Sequence, residues 1–139
     1  MTNMKKVLIA GFTAGVVVLL VSLGLLYLSI FLFPSVAEEY FSPVFRGSSG
    51  KTDWLFYAHP FILSFSLKWF WERYKEIFEG NLFVRAIEVA LVYGIVAMVP
   101  VLWLTYSAID VSITVVLTWL AYGIVQAFVA GLIFAKINP

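Results

Sequence analysis

Four long apolar stretches, separated by short polar ones, set the pattern of this chain. The first, Val7 to Phe33, runs 27 residues without a charge and stops at Pro34. At ~1.5 Å per residue such a helix is about 40 Å long, more than a ~30 Å hydrocarbon core, so tilt or protrusion is expected. The second stretch, Trp54 to Trp71, is interrupted by His59, Pro60 and Lys68. The third, Leu82 to Tyr106, carries Arg85 near its start and Glu88 as its one acid. The fourth, Val111 to Ala135, ends at Lys136. Apolar runs of this length read as membrane helices. The predicted fold is an all-α integral membrane protein, a single domain in which four transmembrane helices form an antiparallel bundle joined by short turns.

The polar intervals fill in the rest. The longest, Pro34 to Asp53, begins SVAEEYFSPVF, which is expected to lie along the membrane surface with Tyr40, Phe41, Val44 and Phe45 dipping into the headgroups. RGSSGKTD follows and is turn-rich. The second helix is expected to continue beyond the membrane to Glu79, supported by Lys68 and Glu72 at i,i+4, and to end at Gly80-Asn81. Pro60 falls in the first turns of its helix and suits a start. Pro100 lies deep in its span, where it should kink the helix and leave the Val96 carbonyl without its usual donor.

Composition sharpens this picture. Of 139 residues 63% are hydrophobic and 12% charged, against roughly 25% charged in an ordinary soluble domain. Cysteine is absent, which removes disulfides, thiolate catalysis and Cys-ligated metals. A net charge of +1 with no basic run gives no case for nucleic acid. The placement of the charges says more. Threading the N-terminus inside puts seven basic residues there (Lys5, Lys6, Lys68, Arg73, Lys75, Arg85 and Lys136) and only two, Arg46 and Lys51, outside. This is a strong positive-inside bias, so both termini are expected in the cytoplasm and the protein in a plasma (inner) membrane. Trp54 and Tyr57 would mark one headgroup belt, and Trp69, Trp71 and Tyr74 the other, toward which Lys68 can snorkel. A cleaved signal peptide, with Ser35-Val36-Ala37 before the cut, is the rival reading of the first span. A 27-residue apolar run is too long for that, so the span is expected to be kept.

Few residues carry candidate chemistry. Gly47-Ser48-Ser49-Gly50-Lys51-Thr52 ends like a phosphate-binding loop, but the leading glycine is replaced by Phe45 and no strand precedes it. A flexible loop is the reading, with no nucleotide. Small residues at four-residue spacing are more informative: Gly11 and Gly15, then Ala86, Ala90 and Gly94, then Gly123, Ala127 and Gly131. Such stripes let helix backbones approach in lipid. Packing within one chain is the simpler reading, and a contact between subunits through Gly11 and Gly15 the sharper one. Tyr-Gly-Ile-Val occurs at 93–96 and 122–125, an inverted-repeat pattern on too few residues to separate from chance.

Four residues define a candidate polar or ion pathway. Glu88 must be paired, hydrated or protonated within a span. Arg85 or Lys136 would make a structural ion pair with it; otherwise it is a protonatable or ion-binding carboxylate. Gln126, near the middle of the fourth span, needs a hydrogen-bond partner across a helix interface, with Ser22, Ser64, Thr114 and Thr118 as candidates. His59 is the only histidine, so a bis-histidine haem within one chain is excluded. No catalytic set, metal site or cofactor is expected. The leading functional expectation is a non-enzymatic accessory or assembly subunit, a module that binds membrane lipid, other membrane proteins or a second copy of itself. Second is a small oligomeric transporter or channel using Glu88 and Gln126. Third is a membrane-embedded enzyme acting on lipid or quinone, with His59 as acid-base group.

Overall fold

A backbone in hydrocarbon must satisfy its own hydrogen bonds, and the apolar stretches accordingly fold as helices. The computed structural model describes residues 4–47 and 50–139, which contain no strand. Met1 to Asn3 lie outside the described residues, as do Ser48 and Ser49 at the centre of the GSSGKT loop. The helices are α1 (Met4–Leu32), α2 (Pro34–Glu39), α3 (Trp54–Tyr74), α4 (Leu82–Tyr93), α5 (Val99–Ala108) and α6 (Ile113–Ile137). A π-helical turn, Gly94–Met98, joins α4 to α5. Three helices are long and apolar enough to cross a membrane: Met4–Leu32, Leu82–Ala108 and Ile113–Ile137. The 21-residue α3 is of comparable length but carries His59, Lys68, Glu72 and Arg73.

Local chemistry explains where the helices stop. Pro34 ends α1 and opens α2, where its fixed φ suits a first turn. Asn81 caps α4 by accepting from the Phe83 and Val84 amides, both at 3.0 Å. Ser112 caps α6 through Val115, and the Glu39 carboxylate accepts from the Ser112 amide at 2.9 Å, at the positive end of the helix dipole.

One expectation is corrected here. The helix α3 ends at Tyr74, not Glu79. Beyond it the chain folds back so that Phe78 stacks on Trp71, and the carbonyl of Lys75 accepts instead from Arg85 at 3.1 Å. Gly80, at φ +98°, makes the left-handed turn into α4. Pro100 lies within Leu82–Ala108 just after the π-helical turn. Lacking an N–H, it removes one donor, and the preceding turn widens so that the Val99 amide reaches the Gly94 carbonyl five residues back.

The helix α6 is the hub, packing on α4, α1, α3 and α5, while α1 also packs on α3. Glycines sit at the closest approaches. A Cβ on Gly11 would meet the Phe65 ring at 2.6 Å, and one on Gly15 the Phe61 ring at 2.4 Å. The Gly11/Gly15 stripe thus serves the packing of α1 on α3 within the chain. Gly94 faces Ile124 and Gly123 faces Met98, while Gly131 lies against the Ala86 backbone, 3.0 Å from its Cα. Ala90 and Ala127 are buried in the same seam. Both copies of Tyr-Gly-Ile-Val therefore lie in the α4–α6 contact, but one runs into the π turn and the other stays α-helical.

Candidate functional site

Two groups of polar residues occupy opposite ends of the bundle. One end carries Met4, Tyr74, Leu82 and Ile137 and is called here the terminal end. Its centre is Trp71, fully buried, whose Nε1–H donates to the Asn138 carbonyl at 2.8 Å. Lys68, 0% exposed, donates to the Glu72 carboxylate at 2.6 Å and sits 5.3 Å from the Phe134 ring. The Asn138 side chain also donates to Glu72, and Lys75 donates to Asn138 at 3.3 Å. Arg85 stacks 4.7 Å from the Trp71 ring. Lys68 does not snorkel into headgroups as its position in the sequence suggested. It is a buried cation neutralised by a carboxylate one turn away, the arrangement that a low-dielectric interior requires.

Arg85 is committed to this cluster and does not pair with Glu88. No described residue forms an ion pair with Glu88, and one of its carboxylate oxygens, Oε2, is buried without a hydrogen-bond partner. Arg85 Nε and Ser64 Oγ are likewise buried and unpartnered. Lys136, the other cation considered for Glu88, is exposed.

The opposite end carries α2 and the chain around it. Val36 is buried, and Tyr40 and Phe45 turn inward onto α6: the Trp119 Nε1–H donates to the Tyr40 hydroxyl at 3.0 Å, and the Phe45 ring meets Trp119 edge-on at 5.9 Å. Only Phe41 and Val44 keep the exposed placement expected of all four. Burial lifts the Tyr40 phenol above the ordinary tyrosine range, more than the Trp119 hydrogen bond lowers it, so it stays neutral at physiological pH.

Below this cap lies a cleft of about 450 Å³. His59 and Phe56 of α3 form one wall. Tyr93, Met98 and Leu102 form the other, and Tyr122 and Gln126 of α6 lie between them. The helix α3 shares no substantial packing with α4 or α5 among the described residues, so the cleft stays open between its walls. Two of its polar groups are spent on neighbours. Gln126 donates to the Ser22 hydroxyl at 2.7 Å, which in turn donates to the Val18 carbonyl at 2.6 Å. Tyr122 donates to the Leu25 carbonyl at 2.8 Å and is hydrogen-bonded to the Ser29 hydroxyl. Two are not: His59 and the Tyr93 hydroxyl make no hydrogen bond to any described residue. No charged side chain lines the cleft.

The structure thus brings His59 and Gln126 to one cleft and leaves Glu88 and Arg85 away from it. Ser22, one of the four partners considered for Gln126, is the one it uses. Tyr122, Tyr40 and Trp119 were missed as site residues. The one sequence signal, for Tyr122, is the repeated Tyr-Gly-Ile-Val, which it shares with Tyr93 on the helix packed against it. No protein-family model, curated protein or solved structure matches the chain.

Proposed function

We propose that this is a four-span membrane protein that works by binding another membrane component, an accessory module and not a catalyst. The fourth span is α3, whose 21 residues cover about 31 Å at ~1.5 Å per residue. Its Lys68 and Glu72 neutralise each other inside the bundle, which lowers the cost of carrying them across. The residue pairs that meet (11 with 65 and 15 with 61, 22 with 126, 86 with 131 and 94 with 124) run in opposite senses along the two helices, which supports an antiparallel bundle. The seven-to-two distribution of basic residues supports both termini inside.

The observation that carries the binding reading is the uncharged, aromatic cleft open between α3 and α4–α5. Mostly apolar walls with a few convergent polar groups are the usual make-up of a small-molecule pocket. The other intramembrane polar groups, Gln126 with Ser22 and Tyr122 with Ser29, are spent on fastening helices together. Native mass spectrometry of the protein extracted gently from its own membrane tests this. The expected result is a retained lipid-soluble molecule or a defined membrane partner; a bare monomer would contradict it.

One observation favours the transporter reading: the buried, unpartnered oxygen of Glu88. Solute flux by the purified protein in proteoliposomes, abolished in Glu88→Gln, would replace the binding reading with that one.

A further inference from the structure

The chemistry of the cleft narrows its occupant, given the binding reading above. An anionic or zwitterionic headgroup would need a counter-charge at this depth, and none lines the cleft. The depth is considerable. Tyr93 is the twelfth residue of the 27 in Leu82–Ala108, and Gln126 the fourteenth of the 25 in α6, so both sit near mid-membrane. His59, the sixth of the 21 residues in α3, lies nearer the α2 end, so the cleft runs from that end toward mid-span, and a small neutral headgroup can follow it to Tyr93.

The unspent hydrogen-bonding capacity says what that headgroup offers. The Tyr93 hydroxyl and one nitrogen of a neutral His59 imidazole are free donors. One N–H of Gln126 and the hydroxyl proton of Tyr122 are already engaged on the α1 side. A ligand that satisfies two donors without adding charge carries neutral oxygen acceptors, of which carbonyls are the simplest. Tyr40, Phe56 and Trp119 supply flat apolar surface for a planar group, and the volume of about 450 Å³ holds a headgroup but not a whole lipid. The tail must leave through the gap between the walls. The π turn Gly94–Met98 lies against this same cleft through Tyr93 and Met98, and such turns recur at functional sites.

We infer that the cleft binds the neutral, carbonyl-bearing headgroup of a lipid-soluble amphipath through Tyr93 and His59, with the apolar tail passing between α3 and α4–α5 into the bilayer. Two sources share this chemistry, a prenylated quinone and a diacylglycerol.

The test uses the full chain in phosphatidylcholine nanodiscs, with a decyl-tailed quinone, a short-chain diacylglycerol or phosphatidylglycerol added in turn and bound molecules counted by native mass spectrometry. One neutral ligand should bind one-to-one and outcompete phosphatidylglycerol, and which of the two binds identifies the source. Tyr93→Phe and His59→Ala should each weaken it about tenfold, the scale of one lost hydrogen bond, with the thermal midpoint unchanged. Equal binding by the variants, or preference for phosphatidylglycerol, would overturn the assignment. If neutral ligands fail but another molecule binds the native chain and is lost from the cleft-filling Leu102→Trp variant, the headgroup assignment falls and the binding reading stands. If nothing distinguishes the native chain from Leu102→Trp, both fall.

Discussion

The two ends of the bundle solve the problem of polar groups in lipid in opposite ways. At the terminal end, charges are brought inside and cancelled: Lys68 against Glu72, with Asn138 bridging and Trp71 and Arg85 stacked over them. At the α2 end no charged side chain lines the interior, hydroxyl and amide groups do the work there, and the helices stand apart around a cleft. Partnered charges consolidate one end, and unpartnered neutral donors leave the other ready to receive a ligand. A polar residue within a span is thus informative only once its partner is known.

Breaking the charged end should have the largest effect. Glu72→Ala leaves Lys68 buried without its counter-ion and should cost about 3–5 kcal/mol of stability in denaturant titrations. Lys68→Met together with Glu72→Leu should recover much of that loss, because an apolar pair of similar volume carries no desolvation penalty. Next is the α4–α6 seam that joins the two ends. Gly131→Leu drives a side chain into the Ala86 backbone and should cost about 1–3 kcal/mol, read as a lowered thermal midpoint. The Gln126–Ser22 bond is smaller: a double-mutant cycle of Gln126→Leu and Ser22→Ala should return a coupling of about 0.6 kcal/mol. Smallest is the cleft wall. His59→Ala should change stability by less than about 0.5 kcal/mol, since the imidazole fastens nothing in the fold. A large loss there would erase the contrast between the ends.

Much of this architecture is legible in the chain. The apolar runs locate α1, α4–α5 and α6 to within a few residues, because in lipid length and hydropathy nearly determine a helix. The small-residue stripes mark real contacts, since Gly11, Gly94, Gly123 and Gly131 all lie where a Cβ would crowd a neighbour. Gln126 read correctly as needing a partner across an interface. The failures have a common cause in tertiary placement. Glu88 and Arg85 are three residues apart on one helix and look like an ion pair, yet Arg85 is drawn away by the Trp71 ring and the Lys75 carbonyl freed at the end of α3. Asn138 carries no local signal and acquires its role only because α6 delivers it to Trp71, 67 positions away in the chain. The cleft was invisible for the same reason. It exists because α3 and α4–α5 share little packing beyond Arg85 on Trp71, and no single segment encodes a gap.

Site-specific photo-cross-linking reads that gap directly. Benzoylphenylalanine replaces Phe56, which lines the cleft, or Phe31, which is 80% exposed on the outer surface of α1. Each variant is irradiated in its own membrane and its adducts are identified by mass. The Phe56 position should yield one dominant small molecule that is absent from the Phe31 position, where bulk phospholipid should prevail. The same spread of bulk phospholipid at both positions would contradict a binding cleft.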